Sequence, residues 1–150
     1  MARASGRRGR GGDPKVARLS AIRLFSACSK RDLQRIAALT MEVDAPAGKT
    51  LIRQGDIGRE AFVIQEGKAR VTIRGKKARI MGPGECFGEL ALLNAGPRTA
   101  TVTAETDMKL LVLGSREFSS LLEDVPSVAR HVLAAVADRL RENEGKQPYH

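Results

Sequence analysis

Tryptophan is absent from this 150-residue sequence, and four phenylalanines and one tyrosine make up its aromatic content of 3%. Proteins that grip single-stranded nucleic acid stack bases on aromatic rings, so that mode of binding is not expected. Cysteine and histidine are almost as scarce. Cys28 and Cys86 lie far apart with no CxxC spacing, and the two histidines are His131 and His150. This excludes a disulfide framework and a zinc motif, and leaves too few ligands for a metal-dependent enzyme built on a β-roll. The cysteines are expected to be reduced and structural. No apolar run approaches the roughly 20 residues of a membrane span. The basic opening MARASGRRGRGG is not followed by the apolar stretch of a secretory signal. The expectation is a non-catalytic cytoplasmic protein with no metal and no membrane segment.

What is present is an ordinary globular composition, 42% apolar and 29% charged, in a chain long enough for one domain with a substantial core. The net charge is +9, and it is unevenly placed. Residues 1–18 hold Arg3, Arg7, Arg8, Arg10, Lys15 and Arg18 against Asp13, which is +5 of that total. Too poor in apolar residues to fold, this start reads as a solvated basic tail over 1–13. A polyanion is its conceivable target, but a nucleic-acid partner is not expected.

Asp13-Pro14 suits a helix entry, and Val16, Leu19, Ile22 and Phe25 recur at helical spacing, predicting a helix over 14–24. Ser29-Lys30-Arg31-Asp32 resembles a capping box ahead of the apolar face Leu33, Ile36 and Ala37. From Met41 to Gly114 the pattern becomes short β-rich runs punctuated by glycines, including TLIR, AFVIQ, ARVTIR, ARIM, TATVTA and KLLVL. Strands at such spacing predict an antiparallel roll of about eight strands, jelly-roll-like, in an α+β domain. Ser115 is placed to cap a following helix, and Pro126 to open the last one, with the apolar stripe Val128, Val132, Leu133, Val136 and Leu140. The domain is expected over 14–143, with residues 144–150 frayed.

One segment breaks the strand rhythm, from Gly84 to Val102. Glu89–Leu93 is helix-forming but too short to stand alone. Gly88 before it permits close backbone approach, and the N–H groups of Glu89, Leu90 and Ala91 at a helical start favour an anion. Arg98, after the Gly96-Pro97 turn, offers a bidentate guanidinium for a phosphate. Glu89 would repel that phosphate and is better matched to a hydroxyl donor.

The run FGELALLNAGPRTATV resembles the phosphate-binding cassette of the cyclic nucleotide-binding domain family, found in bacterial catabolite activators, cyclic-nucleotide-gated channels and cyclic-nucleotide-dependent kinases. The likeness extends from Leu24-Phe25 through Gly55, Gly67 and Gly84 to the final helix. It implies that Gly88 and Glu89 open the site, with Glu89 on the ribose 2′-hydroxyl and Arg98 on the cyclic phosphate. The amides of Leu90, Ala91 and Ala100 would reach phosphate oxygens, and Thr99 would lie near phosphate and base. The final helix would act as a lid through Val132, Leu133, Val136 or Leu140, with Arg139 or Arg141 adding a polar contact. The implied ligand is cAMP, with cGMP the alternative because the Thr99 hydroxyl suits a guanine amino group. About ten residues follow Leu140, too few for a helix-turn-helix. The expected role is therefore a stand-alone sensor that signals to a protein effector through its last helix, or a passive buffer of the ligand.

Overall fold

The computed structural model describes residues 14–145; the basic tail over 1–13, with the cap assigned to Asp13, and residues 146–150 lie outside the described residues. Pro14 opens α1 (Pro14–Leu19), which stops earlier than its apolar spacing predicts. The Ser20 hydroxyl donates to the Ala17 carbonyl at 2.6 Å, a local bond that competes with helix continuation. Ile22, Leu24 and Phe25 are still buried, but from a loop and a 3₁₀ turn at Arg23–Phe25. α2 (Lys30–Ala37) carries the capping box its sequence predicts, with Ser29 Oγ accepting from the Asp32 amide and Asp32 accepting from the Ser29 amide.

Ten strands follow: β1 (Met41–Ala45), β2 (Thr50–Ile52), β3 (Ile57–Gly58), β4 (Glu60–Glu66), β5 (Ala69–Ile73), β6 (Lys76–Met81), β7 (Cys86–Phe87), β8 (Gly96–Pro97), β9 (Thr101–Ala104) and β10 (Met108–Gly114). Eight of them form two four-stranded antiparallel sheets, ordered β1-β10-β4-β7 and β2-β9-β5-β6. These are the eight strands of the expected roll. The remaining pair, β3 and β8, is a two-residue ladder that no local pattern signals.

α3 (Ser115–Asp124) and α4 (Pro126–Gly145) close the chain. Gly114, extended at φ −85° and ψ 148°, holds the N-cap position of α3, and Ser115 is the first helical residue rather than the cap. α4 runs two residues beyond the expected limit of 143. Among the described residues no helix is long and apolar enough to cross a membrane, and no group of three or more His, Cys, Asp or Glu side chains could hold a metal ion.

Alternation along β4 and β10 divides the core in two. Ala61, Val63, Leu111 and Leu113 face the helices, where they meet Leu19, Ile22, Phe25, Ile36, Phe118, Val128 and Val132. Phe25 and Phe118 pack with ring centroids 5.5 Å apart. Phe62, Ile64 and Leu110 point the other way, into the roll, with Val71, Met81, Phe87 and Val102. Phe62 stacks on Phe87, its cross-strand partner, at 4.8 Å.

A polar cluster fixes α4 to α2 within this helical layer. Asp32, 2% exposed, accepts from the Ser127 hydroxyl at 3.1 Å and from His131 Nδ1 at 2.5 Å, one helical turn further on. Burial works to raise the carboxyl pKa, but hydrogen bonds from His131, the Ser29 amide and Ser127, together with the His131 charge, hold it below the ordinary value. Burial of its own, with the Asp32 charge nearby, pushes the Cys28 thiol up to about 11. Cys28 is thus protonated at neutral pH and suited to packing rather than nucleophilic chemistry.

Candidate functional site

The cassette begins where β7 ends. Gly88 sits at φ 78° and ψ 11°, a left-handed conformation costly for any residue with a Cβ, and it turns the chain from strand into a 3₁₀ helix at Glu89–Leu92. Leu92, 2% exposed, is planted in the helix-side core. That anchor holds up a helix too short to form alone. The first three residues of the same turn line a cleft of about 410 Å³ in the open side of the roll.

All seven residues singled out for ligand contact, Gly88, Glu89, Leu90, Ala91, Arg98, Thr99 and Ala100, line this one cleft. Glu89 Oε1 accepts from the Cys86 thiol at 3.7 Å, and its Oε2 is buried. The Ala91 amide is not free in this structure, because it donates to the Gly88 carbonyl at 3.2 Å. Sequence reasoning missed the walls: Ile52, Val71, Met81 and Val102 supply an apolar surface, and Arg79 reaches the rim, where it pairs with Glu85. Alternating strand patterning marks these residues as inward-facing, but nothing local marks them as lining a cleft rather than filling the core.

Arg98 is positioned by its backbone before its side chain acts. Its amide donates to the Asp56 carbonyl at 2.8 Å, and its own carbonyl accepts from the Gly55 amide at 2.9 Å. The half-buried guanidinium donates from Nη2 to the Glu60 carbonyl at 2.9 Å and from Nη1 toward the Gly88 carbonyl at 3.5 Å. Burial lowers its pKa, opposed by the charge of Glu60, and it stays a cation at neutral pH.

The four lid residues are not at the cleft. Val132, 2% exposed, belongs to the helix-side core and Val136 packs against it, because their face of α4 meets the N-terminal helices. Leu133 and Leu140 are 67% and 59% exposed. Arg141 pairs with Asp138 on its own helix at 2.7 Å, and the side chain of Arg139 lies outside the described ones. An apolar stripe is legible in sequence; the surface it covers is not.

The fold and cleft together define a β-roll ligand-binding domain, with a fixed cation and a carboxylate set against an apolar wall. The chain belongs to the cyclic nucleotide-binding domain family, whose model matches residues 42–125. It is 39% identical over 102 residues to the "Cyclic AMP receptor protein" of Thermus thermophilus, covering 65% of this chain and 47% of that protein. The chain thus spans less than half the length of that relative. Among solved structures it resembles the N-terminal domain of a transcriptional regulator from Streptomyces coelicolor, at a TM-score of 0.81 and 36% identity, covering 92% of this chain and 98% of that one. It also resembles the regulatory domain of Toxoplasma gondii PKA crystallised with cAMP, at a TM-score of 0.65 and 33% identity, covering 73% and 44%.

Proposed function

We propose that this domain is a non-catalytic sensor of cAMP, with cGMP the weaker ligand, and that it reports occupancy to a protein partner through α4. The observation that carries the reading is the convergence of Arg98, Glu89 and an apolar wall in one cleft of about 410 Å³. A cyclic nucleotide offers a counterpart to each: an anionic phosphate, a ribose hydroxyl donor and a flat base. Similarity to the Thermus cyclic AMP receptor protein and to the Toxoplasma PKA regulatory domain crystallised with cAMP favours cAMP. In this reading Arg98 exchanges backbone carbonyls for phosphate oxygens. Ala91 joins the Leu90 and Ala100 amides at the phosphate by releasing the Gly88 carbonyl.

Isothermal titration with both ligands tests the reading. One-site binding with cAMP tighter than cGMP is expected; absence of heat with either sinks it, and a cGMP preference reverses the ligand assignment. Glu89→Gln keeps the shape and removes the charge, so cAMP affinity should fall by about 1–2 kcal/mol. Unchanged discrimination against 2′-deoxy-cAMP in that variant would take Glu89 off the ribose.

Leu92 supports the proposed relay to α4. Its turn lines the cleft, while its side chain shares a core with Val128 and Val132 of α4. A ligand that prefers a shifted turn thereby biases how α4 packs. Amide hydrogen exchange should show cAMP-dependent changes in 88–101 and again in 128–142. A response confined to the cassette would favour passive buffering.

A further inference from the structure

The guanidinium of Arg98 lies over a residue that has no side chain. Gly58 is buried in β3, paired with Gly96 of β8, so the two-residue ladder brings it beneath the arginine that follows β8. A Cβ built at Gly58 would overlap Cζ and Nε of Arg98 and come within 2.6 Å of Nη1. The backbone itself does not demand glycine there, since Gly58 is not among the glycines with positive φ. What the position demands is space. Gly88 is the opposite jaw of the same slot, where a Cβ would lie 2.6 Å from Arg98 Nη1 and 2.9 Å from the Glu60 carbonyl. Its left-handed φ confounds any substitution there with backbone strain.

We propose that Gly58 is a positioning residue for the phosphate-binding arginine: its missing side chain sets where the guanidinium of Arg98 sits at the edge of the cleft. This rests on the cyclic nucleotide reading of that cleft. A methyl at Gly58 meets the flexible end of a side chain rather than a backbone. The protein can therefore absorb the substitution by moving the guanidinium, at little cost in stability. The cost falls on binding, because a bidentate contact depends on the placement of a rigid fork of donors.

The test is isothermal titration of cAMP into wild type, Gly58→Ala, Arg98→Ala and the double variant, with thermal unfolding of each. Gly58→Ala is expected to weaken binding at least about ten-fold, the scale of one charge-assisted hydrogen bond, with an unchanged unfolding midpoint. The double variant should bind no worse than Arg98→Ala, because the methyl acts only through the arginine. Wild-type affinity in Gly58→Ala overturns the proposal and leaves the nucleotide reading intact. Additive losses in the double variant also overturn it, by showing that Gly58 acts independently of Arg98. No binding by wild type overturns both readings together. If Gly58→Ala does not fold, folding of the double variant supports the clash with Arg98, and failure of both overturns it.

Discussion

Arg98→Ala is expected to weaken cyclic nucleotide binding by about 2–5 kcal/mol, roughly 30-fold or more, the usual cost of truncating one partner of a desolvated charge pair. Arg98 is half-buried and hydrogen-bonded to the Glu60 carbonyl, so the fold has already met part of the cost of ordering and desolvating it. Stability should change less than affinity, since the bonds removed by the substitution run to backbone carbonyls at the cleft edge. Titration with cAMP beside urea unfolding checks both. An unchanged dissociation constant would remove Arg98 from the site.

The second large effect is in the helical layer, where α4 meets α2. His131→Ala leaves the Asp32 carboxylate buried with Ser29 and Ser127 but without its shortest partner, and should destabilise the domain by about 2–3 kcal/mol. Water entering the vacated space keeps the loss below that of a fully enclosed pair. The pH dependence has a definite sign. Asp32 has a folded pKa below its unfolded one, so its contribution is complete above the ordinary carboxylate value and is lost as pH falls through the depressed folded value. Wild type should therefore lose stability on acidification below about pH 4, the ordinary aspartate pKa. In His131→Ala that acid-dependent loss should shrink, because a principal interaction lowering the pKa is gone. Urea unfolding of both proteins across pH 3–7 measures the two slopes, and equal slopes would show that His131 does not hold the Asp32 charge.

What could be read from sequence was local. The Ser29–Asp32 capping box spans four residues, and the cassette from Gly88 to Ala100 is contiguous, so each carries its own pattern. The glycine-punctuated strands gave away the roll for the same reason. Contacts across long separations left no trace. Ser127 and His131 meet Asp32 from 95 and 99 residues away, and Gly58 meets Arg98 through a ladder of two residues. The packing of Val132 in the helix-side core was not legible either, because periodicity identifies an apolar face without identifying its partner. α1 stopped short because Ser20 offers its own backbone a competing bond, and Ser115 follows the cap position that Gly114 takes in extended conformation.

The wall formed by β4 and β10 has a consequence for how such a domain can diversify. Neighbouring codons in these strands belong to different cores: Phe62 and Ile64 pack inside the roll, behind the cleft wall of Val71, Met81 and Val102, while Ala61 and Val63 border the helices. Substitutions on the roll side can reshape the core behind the cleft while the helical layer keeps its packing, and substitutions on the other side can repack the helices while that core stays as it is. Leu92 is where that independence ends. Its side chain packs with the helices while the three residues before it line the cleft, so a change there alters the helical core and the footing of the cleft together.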